Sequence, residues 1–324
     1  MLRSYGALIG GLLLFILWGT ARVLGWLDEP FDPAFLSLFG LSFKLPLPVQ
    51  LGCGATLVLL DAWLVFRIVN ENVMFRKRNY LSQGLFLVLM AGTPFVLSLI
   101  SALVCLTLTL LAVLILLNTF GQQRAVGAYC TSFMLIGLSV VLIPQWIYLL
   151  PFLLIGCASI RTLNMRTFLA AMLGFVVPFW IGAGLLFLSD GIGNFLISFN
   201  EIVHLSPISC RHLSPTQWPV FLLILLLALP ALFHYPSTTY QLKERSRIAY
   251  ALFITLFVGA LLLACLQPPM TGKLFPLLAC ISCILVTQMV LTLRERRGRV
   301  YRIALIILLL LYMTCSQWMP LLTS

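Results

Sequence analysis

This chain has little charge, and negative charge least of all. Only 9% of its 324 residues are charged, with nine acids against 20 Lys and Arg, and it holds three histidines. A soluble domain carries about 25% charged residues, so this composition cannot build a water-facing surface. The chain also lacks a glycine-rich phosphate loop joined to a strand, an HExxH pair, a Gly-x-Ser-x-Gly elbow and a polar region large enough for a nucleotide. Those absences argue against an ATP-driven activity in this chain alone. The alternating short segments of a membrane barrel are missing too.

What the chain does have is apolar length. It is 61% hydrophobic with a mean hydropathy of +1.09, in runs of the size a helix needs to cross about 30 Å of hydrocarbon. The fold class is therefore all-α, a polytopic transmembrane helical bundle forming one integral membrane domain over residues 1–324. A net charge of +11 would suggest nucleic acid for a soluble protein. Here the cations cluster in turns between apolar runs, which assigns them to membrane orientation and anionic lipid heads, and no nucleic-acid partner is expected. Of the nine cysteines, Cys53, Cys105, Cys130, Cys157, Cys265, Cys280, Cys283 and Cys315 sit inside apolar runs, where a thiol is a small packing group. No metal site is assigned.

The organising stretch is Leu60 to Gln83, where an apolar helix carrying Asp61 runs through Arg67, Asn70 and Asn72 to the basic turn Arg76-Lys77-Arg78. Before it, Met1 to Trp26 reads as a first span, with Gly6 and Gly10 at small-xxx-small spacing. Residues 27–50 begin with Asp28, Glu29 and Asp32, continue through a mildly apolar middle from Phe35 to Phe43, and are punctuated by Pro46 and Pro48. That stretch reads as a non-spanning segment with an interfacial middle. The second span is Val49 to Val69.

After the basic turn, Leu81 to Phe120 is too long for one crossing and breaks at Gly92-Thr93-Pro94, predicting two helices joined by a tight turn near Ser98 to Ser101. The same logic splits Gly127 to Ile160 at Pro144-Gln145. Thr167–Ser189, Trp218–His234, Ile248–Leu266, Lys273–Leu293 and Ile303–Met319 complete eleven spans. With the N-terminus inside, this alternation leaves only Arg22, Lys44, Arg211 and Lys273 outside among the 20 cations. It also leaves Asp28, Glu29, Asp32, Asp190 and Glu201 outside, and the chain reads as a multi-pass inner-membrane protein.

Three groups of residues are candidates for chemistry. Asp61 is the one acid inside a span; it reads either as a proton or ion site or as a structural acid capped by a neighbouring helix or reaching toward Arg67. Asp28 and Glu29, just outside the first span, suit a general base or a surface ion site, or a solvated loop start. The outer loop between spans seven and eight repeats His204-Leu205-Ser206-Pro207 as His212-Leu213-Ser214-Pro215, with Glu201 and Cys210 nearby. These are metal-ligand residue types at no standard zinc spacing, so the loop reads as a lid over an outer cavity, a metal site or a plain loop.

Two stretches carry a family resemblance. Asn70 to Leu81, and then Gly137-Leu138-Ser139 through Pro144, Arg161, Arg166-Thr167-Phe168 and Gly174 to Phe179, resemble the basic turns and glycine-led spans of an uncharacterised family of polytopic inner-membrane proteins of Bacteroidota. That family brings no activity with it. The placement of Asp28-Glu29, with short helices paired through turns at Thr93 to Ser101 and at Pro144, more loosely resembles the membrane core of GT-C-type lipid-linked glycosyltransferases. The resemblance implies envelope glycolipid or polysaccharide assembly from an outward-facing cavity on a polyprenyl-linked substrate. Asp28, Glu29 and His204 would be its catalytic groups, and Glu201, His212 and Asp61 its substrate contacts. No cofactor is assigned. Two other readings stand beside it, a non-catalytic membrane subunit contacting other subunits of an envelope complex, and a proton-coupled transporter.

Overall fold

The computed structural model describes residues 2–23, 36–38, 41–43, 47–72, 80–93, 99–122, 125–188, 217–267 and 270–293, together with 301, 305, 308, 309 and 312. Among these residues the chain is helical apart from one short hairpin. The elements are α1 (Leu2–Val23), β1 (Leu36–Leu38), β2 (Leu41–Phe43), α2 (Leu47–Glu71), α3 (Leu81–Gly92), α4 (Ile100–Leu117), α5 (Val126–Leu142), α6 (Leu150–Ala158), α7 (Met165–Leu188), α8 (Gln217–Thr238), α9 (Glu244–Leu266) and α10 (Thr271–Thr292). Six of the helices, α2, α4, α7, α8, α9 and α10, are long and apolar enough to cross a membrane. This is the architecture of a multi-pass membrane protein. α1 runs 22 residues, while α3, α5 and α6 are shorter apolar pieces; α3, at 12 residues, reaches only about 18 Å, so its described residues do not cross about 30 Å of hydrocarbon alone.

Proline and glycine set the breaks. α3 stops at Gly92, and Thr93 closes its end by donating from Oγ1 to the Leu89 carbonyl at 2.8 Å. Pro94 follows and has no N–H to continue the ladder. α5 stops at Leu142, Ile143 is extended, and Pro144 opens a 3-10 turn to Leu149 from which α6 departs. Proline is tolerated at such a start because that N–H has no partner in the helix anyway. Between Phe35 and Phe43, in the stretch expected to be interfacial, β1 and β2 pair antiparallel, with Leu36 opposite Phe43 and Leu38 opposite Leu41, and β1 lies against α4 and α5.

α10 is the central helix. From Leu274 to Gln288 every residue is buried, and α10 packs against α8, α9, α3, α4 and α2. Small residues along it (Ala279, Cys280, Ser282, Cys283) let neighbours come close, as membrane interfaces require. At the edge of the bundle α7 rests on α5 at Gly174, where a Cβ would collide with the Cys130 carbonyl, and at Gly137, where it would collide with that of Phe175. α1 meets α3 through Gly11 against the Gly84 backbone, whereas a Cβ at Gly6 or Gly10 would meet nothing within 4 Å among the described residues.

Polar contacts fix which helix ends share a side. Arg245, in the first turn of α9, donates from Nε to Asn72 Oδ1 (3.2 Å) just past α2, and from Nη2 to Asn118 Oδ1 (3.3 Å) just past α4. Arg161, past α6, pairs with Glu244 of α9 at 3.5 Å. His234, late in α8, meets Thr292 at the end of α10, Nε2 to Oγ1, at 3.2 Å. The closing ends of α2, α4, α6, α8 and α10 and the opening of α9 thus gather at one basic end. The openings of α2 and α8 lie at the other. Of the expected last span, Leu305, Leu308, Leu309 and Tyr312 are described as helical together with Tyr301 before it. Leu309 and Tyr312 are buried on the core.

Candidate functional site

Asp61 sits on α2 at about mid-length, fully buried, with Val58, Ala62, Leu64 and Val65 buried around it on the same helix. Its partner comes from α4. Thr107 Oγ1 donates to Asp61 Oδ1 at 2.6 Å and also lies 3.0 Å from the Leu103 carbonyl one turn back. The hydroxyl owns one proton and faces two acceptors. Among the described residues Asp61 Oδ2 has no hydrogen-bond partner. On the α10 side, buried Cys280 lies within electrostatic reach of the acid. The site is therefore a junction of α2, α4 and α10 holding one acid.

One structural alternative for Asp61 falls away. Arg67, two turns on, is turned to its own surface, where it pairs with Glu71 and lies over the Trp63 ring at 5.3 Å. No cation neutralises the buried carboxyl among the described residues. An ionised side chain so placed costs at least about 3 kcal/mol in a membrane interior.

Two more contacts tie helices together. Trp146, buried in the 3-10 turn, donates from Nε1 to Thr109 Oγ1 at 3.2 Å, and a cavity of about 10 Å³, the size of one water, adjoins them. Tyr129 of α5 and Thr162, past α6, share a 2.9 Å hydrogen bond. Thr107 and Thr109 alternate with leucine in Leu106-Thr107-Leu108-Thr109-Leu110. That polar interruption of an apolar run was the available signal for both contacts, though it does not say which helix each hydroxyl faces.

Asp28, Glu29, Glu201, His204 and His212 lie outside the described residues, so the shared outer cavity proposed for them does too. Among the described residues no group of three or more His, Cys, Asp or Glu could hold a metal ion. No family model and no curated protein matches the chain.

Proposed function

We propose that the chain is a multi-pass inner-membrane protein that binds and releases a proton at Asp61, as a proton-coupled carrier does. The observation that carries this reading is the half-satisfied carboxyl, with one oxygen on Thr107 and the other unpartnered. A purely structural acid would be fixed through both oxygens, because an unmade buried hydrogen bond is expensive.

The Thr107 hydroxyl supplies two arrangements of one network. With the carboxyl ionised, Thr107 donates to Asp61. With the carboxyl protonated, Asp61 donates to Thr107 Oγ1 and the threonine proton turns to the Leu103 carbonyl. Both states keep the Asp61–Thr107 hydrogen bond, the protonated one adding Thr107 to Leu103, while the link between α2 and α4 reverses polarity, and such a change beside the central α10 is the bistable element that proton coupling needs. The basic end is cytoplasmic in this reading, with the N-terminus inside and eleven crossings, since short cytoplasmic turns hold the excess of Lys and Arg.

A hydrophobic carbodiimide tests the site. It adds to protonated carboxyls in apolar surroundings, leaving an acylurea adduct that mass spectrometry locates. Adduct at Asp61 that declines as pH rises supports the reading; no adduct at any pH refutes it.

A second reading, glycolipid assembly on a polyprenyl-linked substrate in the cell envelope, draws on one observation. Leu47 and Gln217, the first described helical residues after the segments bearing Asp28 and Glu29 and bearing Glu201, His204 and His212, both lie at the end opposite the basic one. Alanine at Glu29 and His204 tests it: full complementation of a deletion strain by both variants removes the enzyme.

A further inference from the structure

We propose that the groove between the end of α6 and the start of α9 holds the phosphate of an anionic phospholipid. It is an open cavity of about 290 Å³ at the basic end, lined by Ser159, Arg161, Tyr235, Thr239, Glu244 and Arg247. That is close to the lower end of small-molecule pockets, about 300 Å³. Two guanidinium groups face it against one carboxylate. Glu244 engages Arg161 at 3.5 Å, while Arg247 has no carboxylate partner among the described residues. Tyr235 forms the back wall and ties α8 to α9 by donating from its hydroxyl to the Arg247 carbonyl at 3.2 Å. A guanidinium fork matches the oxygens of a phosphate.

The backbone at Arg161 is an independent sign. It is the single non-glycine residue with positive φ among the described residues, at 60°, in the left-handed turn that ends a helix and that glycine adopts without strain. An arginine there carries backbone strain that glycine would not, and such strain clusters at ligand sites.

The position in the bilayer selects a lipid over a free anion. Ile248 and Ala251 continue the groove toward the apolar part of α9. Phe233 and Tyr240 stand 81% and 92% exposed at the α8 end of the same side, as aromatic residues do at a membrane interface. An occupant with an anionic head and acyl chains satisfies both halves, and basic pockets between membrane helices have that chemistry.

The test uses the full chain in neutral detergent, with the melting temperature followed as phosphatidylglycerol, phosphatidylcholine or inorganic phosphate is added. Phosphatidylglycerol should raise it, while the other two have little effect. Arg161→Gly and Arg247→Gln should each require at least about ten-fold more phosphatidylglycerol for half the effect. Arg161→Gly without lipid should melt no lower than the parent, since it relieves the positive φ. Should Arg161→Gly fail to fold, Arg247→Gln reads the same site. An equal response to phosphatidylcholine, or a parental response from Arg247→Gln, overturns the site. Equal potency of inorganic phosphate overturns its assignment to a lipid.

Discussion

Thr107 stands on α4 with its hydroxyl 2.6 Å from Asp61 Oδ1 on α2 and 3.0 Å from the carbonyl of Leu103 on its own helix. One proton between two acceptors makes this contact responsive to the charge of the acid, where an ordinary interhelical hydrogen bond would be fixed.

Thr107→Val keeps the shape of the side chain and removes the donor, leaving both Asp61 oxygens bare. The variant should lose about 1–3 kcal/mol of stability, measured by denaturant titration in detergent. The double variant Asp61→Leu/Thr107→Val, with neither polar partner left, should regain most of that loss. A double variant no more stable than Thr107→Val would contradict the pairing.

Arg245 joins the ends of α2 and α4 to the start of α9. Arg245→Ala should cost about 1 kcal/mol. Arg245→Lys should recover little of it, because an ammonium on a single stem cannot serve two amides as the planar fork does. Thermal melting of the three proteins decides this, and full rescue by lysine would count against the fork.

Gly174→Leu forces a side chain into the backbone of α5 at Cys130. Overpacking of this kind costs about 1–3 kcal/mol, whereas Gly10→Leu, where a Cβ would meet nothing within 4 Å among the described residues, should melt close to the parent. Equal losses from both would mean that α5 and α7 do not touch there.

Topology reporters at Arg76 and Arg297 should read cytoplasmic and one at Ser206 external. A cytoplasmic signal at Ser206 would reverse the assigned orientation.

The helix breaks were legible because their cause is local. The proposed breaks at Pro94 and Pro144 match the ends of α3 and α5, whereas Pro178, Pro230, Pro236 and Pro276, which lack the same donor, lie inside α7, α8 and α10. The position of Asp61 in the interior was also readable, since an acid in a span is costly anywhere but inside. Its partner was not. Thr107 is 46 residues away in sequence, and a threonine in an apolar run resembles every other threonine that bonds back to its own helix, as Thr109 does to Cys105 at 2.7 Å.

The centrality of α10 was hidden for a similar reason. Spans of equal hydropathy look alike whether they face lipid or protein, because both surroundings are apolar. The close approach of α1 to α3 falls on Gly11, which the spacing of Gly6 and Gly10 does not single out. The Leu36–Phe43 hairpin was missed because two three-residue strands leave too little alternation to detect.

Infrared difference spectroscopy of the parent against Asp61→Asn tests the central claim most directly, because the carbonyl stretch of a protonated carboxyl is separate from the bands of a carboxylate. The account predicts a protonated-carboxyl band that is missing from Asp61→Asn, is strong at low pH and gives way to carboxylate as pH rises, with Thr107→Val shifting its frequency. A parent spectrum with no such band at any pH, or with one that pH never changes, would contradict proton exchange at Asp61.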